Sequence, residues 1–226
     1  MRMLNNSKLG VIFDLDGTLV DSMGYLTQIA CRVLNEVYLI PLNEAAEIYT
    51  KTSGNPFDVQ IELIKPKGNL NKKAVELFNS LKLAYYPKAP FFDDVIPVLN
   101  QLKSRGCQLY ISSNNDHDIV VEKVAKLPIV FDGILGMKPQ FLKGEAHFNY
   151  FRKMGLSDKW LFAGDSLHDA RVAEKNHIPF FARSGTFSTN EFQKAAVFLD
   201  CQPNLLPIIN LIDSDLLSSE EQRVVT

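Results

Sequence analysis

Cysteine is scarce in this chain. Of 226 residues only three are cysteine, Cys31, Cys107 and Cys201, widely spaced and with no C-x-x-C among them. An odd, scattered set argues against a disulfide framework; each is read as a small buried hydrophobe, and a reducing compartment is implied. Long apolar runs are missing too. None approaches the ~20 residues that span a bilayer, and the opening MRMLNNSKLG lacks the apolar centre of a signal peptide. The expected setting is soluble and cytoplasmic, without a membrane partner. No charge of one sign dominates: 24 Lys and Arg stand against 26 Asp and Glu, a net charge of -2. Without a basic field, nucleic acid is not an expected partner. Internal repeats and low-complexity tracts are also absent, and nothing bears on oligomeric state.

What is present is apolar material in short runs. Hydrophobic residues make up 46% of the chain and charged ones 22%, enough for one sizeable core plus an insertion. Continuous apolar runs occur at 9–13, 107–111, 129–135, 160–163, 178–182 and 196–199. Runs without alternation suit a parallel sheet covered on both faces. Between them lie stretches of helical period, such as FFDDVIPVLNQLKSRG, closed by Gly106 as a C-terminal cap. Strand and helix in alternation predict an α/β fold with a doubly wound parallel sheet. Residues 22–88 break the alternation: only helical patterns occur there, with turns at KTSGNPF and KPKGN. The expected layout is an α/β core from 1–21 and 89–212, an all-helical insertion at 22–88, and a polar tail at 213–226.

The first apolar run ends in GVIFDLDGTLVDS, which sets Asp14 and Asp16 two residues apart. Ligands of open parallel sheets bind beyond the carboxyl ends of the strands. Two acids there are tolerable if a divalent cation neutralises them, or if one is held protonated to act as an acid. An oxygen-only ligand set favours magnesium.

Asp14-Leu15-Asp16-Gly17-Thr18 behind a hydrophobic strand resembles the signature of the haloacid dehalogenase-like (HAD) hydrolases. Three further landmarks follow in that family's order: LYISSNN at 109–115, a lysine before a helix, and LFAGDSLHDARVAE at 161–174. The resemblance covers residues 9–199 and implies a Rossmann-like core, a helical (C1-type) cap at the insertion, and phosphate-ester hydrolysis. Asp14 would be the nucleophile and Asp16 the general acid and base. Ser112, the first polar residue after its strand, is chosen over Ser113 as the hydroxyl that binds the phosphoryl group. The amides of Ser113 and Asn114 would open the next helix and hold the anion. Lys143, which precedes a helix, is preferred to Lys138 as the neutralising lysine. Magnesium would be held by Asp14, the backbone carbonyl of Asp16, and Asp165, with Asp169 binding a metal water or steadying the lysine. His168 is read as solvent-facing.

Dehalogenating relatives usually lack an acid where Asp16 stands, so carbon–halogen cleavage is disfavoured. The expected function is a magnesium-dependent phosphatase acting on a small-molecule phosphate ester through an aspartyl-phosphate. Phosphoglycolate, sugar phosphates and nucleotides all stay open. A phosphomutase of the same capped design is the alternative, and a binding protein on a retained fold is disfavoured by the intact acids. The insertion would act as a lid hinged near Asp21-Ser22 and Pro87–Pro90. Its KTSGNPF turn would contact substrate through Lys51, Thr52, Ser53 and Asn55, or be an ordinary helix–helix turn. No cap lysine (Lys51, Lys65, Lys67) sits in a recognisable Schiff-base context. Arg183 and Thr186 flank the site mouth or belong to a loop leading to a helix cap at Ser188.

Overall fold

Residues 9–13 are apolar on every side because both of their faces are covered. In the computed structural model, which describes residues 8–155 and 157–214, they form β1 (Leu9–Phe13) at the middle of a sheet. The six strands lie in the order β3-β2-β1-β4-β5-β6, all parallel. The others are β2 (Gln108–Asp116), β3 (Gly133–Met137), β4 (Lys159–Gly164), β5 (Phe180–Arg183) and β6 (Asp200–Gln202). Side chains still alternate within each run. Val11, Phe13, Leu109, Ile111 and Leu161 face one core, and Ile12, Tyr110, Phe162 and Phe180 face the other.

The two cores are covered by different helices. The first takes α5 (Val95–Ser104), α6 (His117–Val124) and α10 (Pro207–Asp213). The second takes α7 (Glu145–Lys153), α8 (Leu167–Lys175) and α9 (Thr189–Ala195). Gly106 follows α5 at φ +78°, a left-handed position that suits glycine at a helix end.

Between β1 and α5 lie α1 (Met23–Tyr38), α2 (Leu42–Thr52), α3 (Phe57–Ile64), α4 (Asn71–Tyr85) and a 3-10 turn, Tyr86–Lys88. They bury a third, separate core, in which Phe57 stacks on Phe78 at 3.9 Å. Two strands of chain join these helices to the sheet. Val20 bridges Phe91, and the Asp21 amide donates to the Pro90 carbonyl at 2.9 Å. Lys123 of α6, buried, donates to the carbonyls of Tyr86 and Ala89 and so ties the return linker down.

Three strands differ from their apolar runs. β2 continues through Asp116, past the polarity change at Ser112. β3 begins at Gly133, because Ile129 and Phe131 pack on the first core before the strand pairs. The run 196–199 is not the sixth strand: Phe198 packs on Phe192, Leu199 makes a first bond to Phe180, and pairing starts at Asp200. The tail expected at 213–226 lies, from 215 on, outside the described residues. Among the described residues no helix is long and apolar enough to cross a membrane.

Candidate active site

The strand ends set the site. Asp14 follows β1 directly, and its amide donates to the Ala163 carbonyl at 2.9 Å, extending the ladder to β4 by one residue. The chain then turns at Gly17, φ +77°, where any Cβ would collide with the Asp165 carboxylate. The turn ends the strand alternation, yet Asp14 and Asp16 still line one cavity of about 530 Å³ between the sheet edge and the inserted helices.

Lys143, just before α7, is almost wholly buried. Its Nζ lies 2.9 Å from Asp14 Oδ1 and 2.7 Å from Asp169 Oδ1. Burial works against its charge, but the two carboxylates prevail and hold its pKa above the usual lysine value. Lys138 is exposed and lines nothing in the cavity.

Asp165 follows β4, and Asp169 lies in the first turn of α8. Ser166 caps that helix reciprocally with Asp169, whose Oδ2 accepts from the Ser166 hydroxyl at 2.5 Å. Thr186, from the loop after β5, donates to Asp165 Oδ2 at 2.5 Å, so it does reach the site. Arg183 does not: its guanidinium pairs with Asp94 at 2.8 Å and stacks on Phe92. Ser188 caps α9. Oxygens of Asp14, Asp165 and Asp169 lie within 4.8 Å of one another, all three residues buried. Burial chiefly pushes the Asp14 carboxyl well above its ordinary range, against the pull of Lys143. Burial, then the Asp169 charge, pushes Asp165 up to about 7. Three acids against one ammonium leave negative charge that a cation would offset.

The β2 end corrects two expectations. Ser112 is fully buried and turned away from the cavity, with its Oγ 3.0 Å from His147 Nδ1. Alternation along the extended chain brings Ser113 to the cavity instead. The amides of Ser113 and Asn114 do not open a helix: they lie in the strand, and α6 starts at His117 with Asp116 as its cap. The Asn114 side chain is nonetheless central. It accepts from the Lys143 amide at 3.0 Å and donates to the Gly54 carbonyl at 2.8 Å.

The inserted helices supply the other wall. Ser53, Gly54 and Asn55 from the KTSGNPF turn reach the cavity, but Lys51 does not. Its side chain is 75% exposed and lies 3.8 Å from Glu47, one turn back. His168 is half-buried beneath Gly54 rather than solvent-facing. Lys65 lies over the Tyr38 ring, and neither it nor Lys67 lines the cavity. The cation that does enter from this side is Lys82, on a face of α4 with Val75, Phe78 and Asn79. Four residues at helical spacing carried that signal, but it reads as a core stripe until the helix's neighbour is known.

The profile of the haloacid dehalogenase-like hydrolases matches residues 11–183. A protein described as a predicted phosphatase from Clostridium acetobutylicum has the same fold, with a TM-score of 0.76 and 22% identity over 94% of this chain and 99% of that one. A haloacid dehalogenase-like family hydrolase from Streptococcus pneumoniae gives 0.75 at 22% identity over 91% and 98%. A predicted phosphoglycolate phosphatase from Haemophilus somnus gives 0.69 at 20% over 92% and 99%. No curated protein matches the sequence.

Proposed function

Because this chain belongs to the haloacid dehalogenase-like hydrolase family, we propose that it is a magnesium-dependent phosphatase that hydrolyses a small-molecule phosphate monoester through an aspartyl-phosphate on Asp14. The observation that carries this reading is the convergence of Asp14, its lysine partner at 2.9 Å and a second acid, Asp16, on one cavity. The names of the Clostridium and Haemophilus proteins of like fold, a phosphatase and a phosphoglycolate phosphatase, support it.

The steps follow from the residues present. An oxygen of Asp14 attacks phosphorus in line, forming an acyl phosphate as the ester P–O bond breaks. Asp16, in its acid form, gives its proton to the departing alkoxide. As a carboxylate it then takes a proton from the water that attacks the acyl phosphate. Inorganic phosphate leaves and Asp14 is restored. Lys143, kept charged by its two carboxylates, offsets charge on the transferring group together with the Ser113 hydroxyl, which takes the role first assigned to Ser112. The inserted helices serve as a lid moving about hinges near Asp21-Ser22 and Pro87–Pro90, and exclude water when closed.

The site fits magnesium. Its donors are all oxygens, buried, and in charge excess over the one lysine. Asp14, Asp165 and the backbone carbonyl of Asp16 would hold the ion, while Asp169, already bonded to Lys143 and Ser166, would brace the set from behind. Bound there, magnesium offsets phosphoryl charge and orients the group toward Asp14. Three free thiols suit a cytoplasmic setting.

The test is a panel of phosphoglycolate, hexose phosphates and nucleoside monophosphates, each with Mg2+. Continuous phosphate release is expected. Isomerisation of a sugar phosphate without release would replace this reading with a phosphomutase, and neither reaction with any ester would overturn it.

A further inference from the structure

Two lysines reach the cavity, and only one is accounted for by carboxylates. Lys143 is clamped between Asp14 and Asp169. Lys82, near the end of α4 in the insertion, makes no ion pair among the described residues; its Nζ donates to Asn115 Oδ1 of the core strand at 2.7 Å. That oxygen also accepts from the Asp116 amide at 2.9 Å. Two donors on one amide oxygen fix its orientation, because a flipped amide would set N–H against N–H. The amide's Nδ2 therefore points the other way, to Asp16 Oδ2 at 3.2 Å. The second Asp16 oxygen accepts from the Ser22 hydroxyl at 2.6 Å. Tyr86, one helical turn beyond Lys82, is buried with its hydroxyl unpartnered among the described residues. Of these groups, Lys82, Ser22 and Tyr86 come from the insertion or its linkers, and Asn115 and Asp116 from the core strand.

We infer that Lys82 is a positioning residue for leaving-group protonation: it locks the Asn115 amide, and the amide holds the Asp16 carboxyl at the mouth of the insertion-lined half of the cavity. The inference rests on the reading of Asp16 as general acid. Lys82 belongs to the insertion and Asn115 to the sheet, so parting the two breaks the bond and releases the acid. Protonation is thereby coupled to a closed site.

Leaving-group chemistry separates this role from others. An alkoxide needs the proton as the P–O bond breaks; p-nitrophenolate leaves without it. We would measure kcat/KM with Mg2+ for alkyl phosphates and for p-nitrophenyl phosphate, in wild type, Lys82→Met, Lys82→Gln and Asn115→Ala. The expected result is a fall of about tenfold to a hundredfold in the alkyl-to-aryl ratio in all three variants. Partial recovery in Lys82→Arg is expected, as is little further loss in Lys82→Met/Asn115→Ala. An equal loss on both ester types would make Lys82 a substrate or lid contact and overturn the inference, as would no loss. A wild type that hydrolyses alkyl and aryl esters while the ratio stays fixed would sink only this inference. A wild type inert to both would sink the phosphatase reading and the inference together.

Discussion

The sheet wall of the cavity and the helical wall enclose the same 530 Å³ but are held by different forces. On the sheet side, Asp14, Lys143, Asp165 and Asp169 are each less than a tenth exposed. Their positions come from strand ends, a reciprocal helix cap and ion pairs of 2.7 and 2.9 Å. Burying four ionisable groups together is costly unless charges offset, so the Lys143 ammonium depends on the acids around it. On the helical side, Leu26, Tyr49, Phe57 and Phe78 present apolar surface that packing alone keeps in place. Lys82, Asp58, Ser53 and the amides of Asn55, Gln60 and Asn79 are its polar features. The first wall is built for a fixed charge pattern and the second for shape. A change on the first should therefore abolish turnover, and one on the second should shift which ester is turned over.

The sharpest test of that division is Asp14→Asn. Removing the proposed nucleophile should lower turnover by a thousandfold or more. Because burial disfavours the Asp14 charge, the neutral amide should leave the metal-free fold at least as heat-stable as the wild type. A large loss of Tm would mean that this wall is held by Asp14's charge in some other way.

Next in size is the metal. The Asp165 carboxyl is pushed up from 3.8 to about 7, first by burial and then by Asp169. Between those values the folded, metal-free chain holds a proton that the unfolded chain has lost, so its stability falls as pH rises through that window. A divalent cation competes with the same proton. Mg2+ should therefore raise Tm more at about pH 8 than at about pH 5.5, and the half-saturating concentration should fall as pH rises through about 7. Asp165→Asn should flatten both dependences. Calorimetry in the presence and absence of EDTA reads this without any substrate.

The same division explains what could be read in advance. Asp14 and Asp165 are legible as acids that end apolar runs, which is a local pattern; Lys143 rests on the resemblance, which sets a lysine before a helix. The doubly wound sheet is legible from local patterns as well. Ser112 looks like the cavity hydroxyl only if the strand ends where polarity begins. Both serines are buried, β2 runs on to Asp116, and only the alternation of the extended chain decides which one faces the cavity. The sixth strand was misplaced because Phe198 is apolar for packing rather than for pairing. Lys82 was invisible because its helical face looks like any other until the sheet that α4 approaches is known.

Ser113→Ala against Ser112→Ala checks the register. The first should lower kcat/KM by about tenfold or more through loss of a donor to the phosphoryl group, with some loss of Tm because the Asn115 amide donates to the Ser113 hydroxyl at 3.1 Å. The second should spare activity and cost about 1–3 kcal/mol of stability, because His147 Nδ1 would be left buried without its partner. The reverse outcome would return the phosphate contact to Ser112 and require a two-sided rearrangement of β2.

The smallest effect belongs to Lys51→Ala, and it bears on the helical wall. Lys51 shares the KTSGNPF turn with Ser53, Gly54 and Asn55, which do reach the cavity. A local reading cannot separate them, since all four are polar or small and sit in one loop. The helix does: Lys51 lies in the last turn of α2, where its stem runs back along Glu47 and into solvent. An exposed pair at 3.8 Å stabilises by a few tenths of a kcal/mol at most. Removing it should leave kcat/KM unchanged for every ester in the panel and move Tm by less than a degree or so. A loss confined to anionic leaving groups would show that the turn reorganises when substrate binds, bringing Lys51 inward, and the helical wall would then recognise charge as well as shape.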